Sequence, residues 1–338
     1  MNWQNRSVLV TGGASFIGSH LVDALVERGA SVRVVDDLSS GEIGNIQHHL
    51  DAGKVEFHLE NLLDAGVADR MAKDMDVVFH LAAIHGGRGF IDSHQADCSR
   101  NLVIDGLTIK AAQVAGVDKF VFASSGCVYP VSLQMDVGEE IYLSEDMVGP
   151  PYEADDQYGW AKLMCETTLK AYHNDYGLKS ASCRFFTAYG ERCLENHAVM
   201  AFIGRAFLKK DPFEVWGDGS QVRNWTYVGD IVGGLILAAE KIHDGSAINL
   251  GTEERIHVID AVKEVLRYTG HDAKIVYLLD KPTGPLNRVA STKKIKELFG
   301  WEPQVKFADG LHRTIDWYFK TKDEQALDRN FDRLLTER

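Results

Sequence analysis

Thr11-Gly12-Gly13-Ala14-Ser15-Phe16-Ile17-Gly18 follows directly on the apolar run 7–10 and opens a stretch in which Leu21, Val22, Leu25 and Val26 share one helical face, closed by Gly29. A strand that runs into glycines and then into a helix aims backbone N–H groups at the helix N-terminus, where a pyrophosphate is stabilised. Gly12 permits the tight turn and Gly18 the close approach of helix to strand. Ser15 stands where a middle glycine is usual, and Phe16 and Ile17 complete the loop. A plain strand-turn-helix would use the same glycines. Asp36 tips the balance: it ends the next strand about 20 residues on, where a carboxylate accepts hydrogen bonds from an adenosine ribose and repels a 2′-phosphate. NAD is therefore predicted rather than NADP. Asn61 and Leu62, after the third strand, are expected beside the adenine.

Outward from this turn, short β-branched runs at 32–35, 55–58, 77–81 and 119–123 alternate with helical patterns at 65–73 and 101–115. A further helix is read from Lys162 to about Tyr176, and a sixth strand at 180–185. Such alternation predicts an α/β fold with a Rossmann-type doubly wound parallel sheet. From Tyr189 the alternation lapses into Gly- and Pro-rich loops and amphipathic helices near 259–268 and 311–321, a smaller C-terminal substrate lobe. A strand at 247–250 is expected to return to the first sheet. The division is therefore interleaved: 1–186 with about 222–252 as the dinucleotide-binding domain, about 187–221 and 253–338 as the lobe.

Bulk properties exclude several classes of partner. A formal charge of −13 over 338 residues disfavours nucleic acid and anionic membranes, both of which select clustered Lys and Arg. No apolar run approaches the roughly 20 residues that span a bilayer, and the polar start Met1-Asn2-Trp3-Gln4 reads as no signal peptide. Five cysteines without paired zinc-type spacing suit reduced thiols, no metal and a cytoplasmic location.

Tyr158-Gly159-Trp160-Ala161-Lys162 carries the second signal. Residues four apart share a helix face, and a free phenol with pKa near 10 becomes a usable base when an ammonium and a positively charged nicotinamide lie beside it. Lys162 is also expected to bond the nicotinamide ribose. Ser124 and Ser125 follow an apolar strand at the mouth of the sheet, where ligands sit in open α/β folds. Ser125 is expected on the reacting hydroxyl and Ser124 on the cofactor; strand-end capping is their alternative role.

Together with Leu81-Ala82-Ala83, the stretch Trp216-Gly217-Asp218-Gly219-Ser220-Gln221-Val222-Arg223, Tyr227-Val228-Gly229-Asp230 and Phe299-Gly300-Trp301, these motifs resemble the extended short-chain dehydrogenase/reductases that act on nucleotide sugars, over essentially the whole chain. The resemblance implies a homodimer formed through the helices around 101–115 and 158–176. It implies cofactor contacts from Leu81, Ala82 and Ala83, and a nucleoside-diphosphate sugar as substrate. Arg223 and Arg288 would meet the diphosphate, a task to which bidentate guanidinium suits. Trp216, Gly87 and Thr187 are further substrate contacts by the same analogy.

Within that family the position two residues after Ser125 discriminates. Dehydratases carry an acid near it and simple 4-epimerases commonly a Thr; here it is Cys127. With the loop Ile84-His85-Gly86-Gly87-Arg88-Gly89-Phe90, this looks most like the GDP-mannose 3,5-epimerases, which favours a GDP-sugar. By that analogy Cys127 removes protons next to a transient 4-ketone, since a carbonyl acidifies neighbouring C–H bonds. His197 aligns with the lysine that donates from the opposite face, and a small buried cysteine is the plain alternative for Cys127. His85 and Arg88 replace other family residues, and Thr187 replaces the usual Asn. Arg88 is read either as a contact to an extra anionic or hydroxyl group of the sugar or as a solvated loop residue. Expected overall is an NAD-dependent epimerase that returns the electrons it borrows. A plain 4-epimerase and a non-catalytic NAD-binding sensor are the alternatives.

Overall fold

The structure is a computed structural model and describes residues 1–335. Ser7–Thr11 (β1), Ser31–Asp36 (β2), Val55–Leu59 (β3), Val77–His80 (β4), Lys119–Ser125 (β5), Ser180–Phe185 (β6) and Asp244–Leu250 (β7) form one parallel sheet of seven strands, ordered β7-β6-β5-β4-β1-β2-β3. The apolar runs are continuous because both faces are covered. In β1, Val8 and Val10 pack into one layer and Leu9 into the other.

The principal helices are Phe16–Glu27 (α1), Asn101–Ala115 (α2), Asp156–Tyr176 (α3), Ala198–Phe207 (α4), Val228–Lys241 (α5), Val258–Thr269 (α6) and Phe307–Thr321 (α7). On one face of the sheet, Leu21, Val22 and Leu25 of α1 and Ile231 and Leu235 of α5 are fully buried. Each such side chain contributes about 1.5–3 kcal/mol of burial free energy, which fixes the angle at which α1 leaves the glycine turn. On the other face, Ile104 and Ile109 of α2 join Cys165 and Leu169 of α3. Strand order reverses between β1 and β4, so the loops after those strands diverge and open a crevice at their carboxyl ends.

A second core gathers Phe202 and Ile203 of α4, Phe213, Trp225, Val262 of α6 and Leu311 and Ile315 of α7. It caps the crevice from the side. The strand expected at 247–250 is β7, paired with β6. Val222–Arg223, which the sequence reading grouped with the dinucleotide-binding domain, pairs instead with Ile256–His257 and Asn287–Arg288 of the lobe. Helix α5 that follows it does pack on the large sheet, so the chain crosses between the two cores just after Arg223. Strand β5 runs on through Ser125, two residues beyond its expected end, which places both serines in the sheet itself. Among the described residues no helix is long and apolar enough to cross a membrane.

Candidate active site

One cleft lies along the carboxyl ends of the strands and collects almost every residue singled out in the sequence. Its cofactor half is built from backbone. A Cβ on Gly18 would stand 2.0 Å from the Gly12 carbonyl oxygen, and one on Gly12, whose φ is +70°, would stand 2.9 Å from the Ala82 nitrogen. The helix start, the turn and the loop after β4 thus touch with no side chain between them. Thr11 Oγ1 ties the same parts together, accepting N–H bonds from Leu81 at 3.1 Å and Ala82 at 3.0 Å while pairing with His80 Nδ1 at 2.8 Å.

Ser15 precedes α1 yet turns its hydroxyl to Asp36 Oδ2, 3.2 Å away, rather than capping the helix. No acid lies in the first turn of α1. Its leading N–H groups are left to an anion, and the helix dipole favours one there. Asp36 is buried and also accepts from Ala14 N at 3.0 Å and Leu38 N at 2.9 Å. Burial raises its pKa, and these three donors act against that rise. Asn61 and Leu62 line the same end; the Asn61 amide donates to Asp37 Oδ2 at 3.0 Å. Bare backbone under a helix N-terminus, with a carboxylate one strand away, fits the pyrophosphate and ribose of a dinucleotide.

The proton-transfer half begins at α3. Tyr158 and Lys162 lie one turn apart and are both buried, with Lys162 Nζ 5.7 Å from the Tyr158 ring centroid and 4.5 Å from that of Phe122. Burial pushes the Tyr158 phenol well up; Cys127, Asp105 and Cys98 add to the rise, and a hydrogen bond with Ser125 opposes it. Lys162 alone therefore does not make a phenolate here. A further positive charge has to arrive, as a bound nicotinamide would bring. Ser125 also accepts the Cys127 N–H at 3.1 Å. Ser124 lines the cleft, but its hydroxyl points away, donating to Glu166 Oε1 at 2.5 Å within the buried Glu166–Arg184 ion pair.

The substrate half is built from charges. Cys127, Arg88, Arg223 and Arg288 meet on its wall with Gly87 and Thr187, the last a β-branched residue held at φ +25°. Arg223 donates to the carbonyls of Val222 and Thr283, both at 2.9 Å. Burial, with repulsion from Arg288 and Arg88, pushes its pKa down to about 9, so a nearby anion would be strongly favoured. Arg88, read from sequence as a sugar contact or a solvated residue, lines the cleft with its side chain 26% exposed. It is braced by Asp92, Asp155 and Asp156.

The rings of Tyr158, His85 and His197 follow one another across the cleft, with centroids 4.9 Å and 5.5 Å apart. Burial pushes His197 down to about 4, so near neutral pH the ring is neutral and offers no imidazolium to the cleft. Trp216 is the one expected contact that the cleft wall lacks. It ends a strand of the lobe paired with Ile275–Leu278, and the Lys281 ammonium sits 5.9 Å from its ring. Sequence reasoning missed Asp155 and Gln134. Asp155 shows in sequence only as a helix-start acid, and nothing in the spacing of Gln134 marks it.

The model of the NAD-dependent epimerase/dehydratase family matches residues 8–251, well over half of the chain. The chain belongs to that family. Its members, and hence this enzyme, act on sugar nucleotides with NAD. The epimerase/dehydratase chain is 32% identical over 317 residues to GDP-mannose 3,5-epimerase 1 of Oryza sativa subsp. indica, spanning 92% of this chain and 81% of that one. It is 31% identical over 316 residues to a putative UDP-glucose 4-epimerase of Methanocaldococcus jannaschii, spanning 92% and 97%. The solved UDP-glucuronic acid 4-epimerase of Bacillus cereus, in complex with UDP-glucuronic acid and NAD, superposes with a TM-score of 0.83 at 29% identity, over 94% of this chain and all of that one.

Proposed function

We propose that this enzyme is a nucleotide-sugar epimerase that works through a transient 4-keto sugar and inverts carbon 3 or 5 with Cys127 as the base. The observation that carries the reading is the Cys127 sulfur itself, in the cleft wall on the loop that leaves β5, with Arg288 Nη1 at 3.2 Å. A thiol next to a guanidinium, near a buried Tyr/Lys pair, suits proton abstraction beside a ketone.

When bound, NAD supplies a reversible two-electron acceptor for the sugar carbon. Gly12, Ser15, Phe16, Ile17 and Gly18 would hold its pyrophosphate, Asp36 its adenosine ribose, Asn61 and Leu62 its adenine, and Leu81, Ala82, Ala83 and Ser124 its remaining length. Lys162 orients the nicotinamide ribose and Tyr158 takes the proton of the 4-hydroxyl, with Ser125 bonded to the same oxygen. Arg223 holds the diphosphate. Sequence likeness at Cys127 and the 84–90 loop favours a GDP-sugar. We take 1–186 with α5 and β7 as the cofactor unit and the rest, Val222–Arg223 included, as the sugar-nucleotide lobe. A homodimer through α2 and α3 is supported by the exposed apolar Leu102, Val103, Leu107, Trp160 and Met164 on those helices. Five cysteines that form no disulfide support the cytoplasm.

One observation favours a second reading. His197 is held neutral by burial, which leaves the opposite face of the sugar without a charged acid. A plain 4-epimerase needs no such acid, because its ketosugar merely turns over. Incubation with a panel of nucleotide sugars in heavy water separates the two. Deuterium at carbon 3 or 5 is expected. Inversion at carbon 4 without label would instead establish the 4-epimerase.

A further inference from the structure

Every nitrogen of the Arg288 fork is already committed inside the protein. Nε donates to Gln134 Oε1 at 2.6 Å, Nη2 to Asp155 Oδ2 at 2.8 Å and Nη1 to Cys127 Sγ at 3.2 Å. A planar guanidinium has its donors at fixed angles, so holding two of them sets the direction of the third. Here the third direction is the sulfur. Three of the five N–H donors are thereby held, one of them on the thiol, so the diphosphate contact expected of Arg288 stays open beside Arg223, which donates to two carbonyls.

Asp155 is 4% exposed and stands between two guanidiniums, with Arg88 Nη1 at 3.0 and 3.1 Å from its two oxygens. Arg88 comes from the loop after β4, whereas Arg288 comes from the lobe, so one carboxylate joins the two sides of the cleft. The Asp155 N–H also donates to the Cys127 carbonyl at 2.8 Å. Cys127 is thus tied to Asp155 twice, once by backbone and once through Arg288. The residue also immediately precedes α3, which carries Tyr158 and Lys162. The charged and titratable groups that interact with the sulfur are Arg288, Arg223 and Tyr158, and Asp155 reaches it through Arg288.

We infer that Asp155 is a positioning residue that, braced by Arg88, holds the Arg288 fork on the Cys127 sulfur during turnover. The inference rests on Cys127 being the base, and it deepens that reading by giving Arg288 a role at the thiol besides the diphosphate contact expected of it. A thiolate accepts such a donated N–H more strongly than a thiol does, and the thiolate is the form that removes a proton.

Iodoacetamide labelling of the full-length protein at pH 7.5, read by mass spectrometry at Cys127, tests the geometry without turnover. The other four cysteines are 0–3% exposed, so the label reports on this one. Arg288→Met is expected to slow labelling about tenfold or more. Asp155→Asn separates positioning from simple charge. Deleting a negative group beside a thiol would by electrostatics alone speed alkylation, as would loosening of the fold, whereas loss of the held fork slows it. We expect slowing, with recovery in Asp155→Glu. Unchanged or faster labelling in Asp155→Asn overturns the inference.

A second measurement uses deuterium uptake into the sugar. Asp155→Asn should lower kcat about tenfold with KM changed less than about threefold. A raised KM with kcat retained would leave Arg288 with the diphosphate alone and also overturn it. If the unaltered enzyme exchanges no deuterium with any sugar nucleotide, the base role of Cys127 fails, while the labelling result still decides whether Asp155 holds the fork.

Discussion

The two halves of the cleft are held by different physics. On the cofactor side, α1, the glycine turn and the 81–83 loop meet backbone to backbone, at separations where a single added methyl would collide. On the substrate side the parts are far apart in sequence and meet through ions: Arg88 and Asp155 are 67 residues apart, Asp155 and Arg288 133. A backbone site tolerates almost no change and binds a fixed shape. A charge-built site can be re-aimed by exchanging one side chain, which suits the half that must distinguish one sugar nucleotide from another. Tyr158 stands at the seam between them.

Removing the seam should cost most. Tyr158→Phe deletes the proton acceptor while keeping the ring that packs against His85, so kcat is expected to fall about 10²–10⁴-fold with NAD affinity nearly unchanged. Single-turnover formation of the 4-keto sugar, followed by absorbance of the reduced cofactor, measures it. Turnover within about tenfold of the unaltered enzyme would mean that another group accepts this proton.

Gly18→Ala attacks the cofactor half alone. Its Cβ would overlap the Gly12 carbonyl at 2.0 Å, where no flexible side chain can yield. Overpacking of this kind costs about 1–3 kcal/mol, or about 5- to 150-fold if it falls on NAD binding. Titration of NAD by calorimetry should show the loss, while Cys127 labelling on the other half stays as it was. Equal loss in both halves would show that they are not independent.

That difference also explains what could be read from sequence. The strand-glycine-helix run and Asp36 are local, so Gly12, Gly18, Asp36, Tyr158 and Lys162 were legible, and all lie in the cleft. Strand-helix alternation is likewise local, so the parallel sheet was legible, whereas its strand order is set by packing and was not. Asp155 and Gln134 were not legible, because their importance arises only when β5, α3 and the lobe strand at Asn287–Arg288 converge in space. Arg88 was visible as a loop arginine, but its three carboxylate partners were not. Trp216 is absent from the cleft wall: its motif is recognisable, but its pairing with Ile275–Leu278 is not legible in the sequence. Ser124 lines the cleft, but the buried Glu166–Arg184 pair claims its hydroxyl.

Arg223→Gln sharpens the comparison from the substrate side. The guanidinium would lose its charge-assisted contacts to phosphate, worth about 1.5–3 kcal/mol, so KM for the sugar nucleotide should rise about 10- to 100-fold while NAD titrates as before. A fall in kcat at unchanged KM would instead place Arg223 on the reacting sugar.

The smallest effect concerns His197, which faces both halves. Its pKa is pushed down to about 4 in the folded chain, against about 6.5 when unfolded, so between those values the unfolded chain binds the extra proton. Stability is therefore full above about pH 6.5 and is lost as pH falls toward 4. Since the ring lines an open cleft, the loss is on the order of 1 kcal/mol. His197→Gln removes this titration, so its urea midpoint should fall less than that of the unaltered protein between pH 7 and pH 4.5. Every other group titrates in both proteins, and the difference between the two curves isolates the imidazole. Curves that stay parallel would mean that the folded protein accommodates the charged ring. The opposite face of the sugar would then have its acid after all, and the case for the plain 4-epimerase would lose its one structural support.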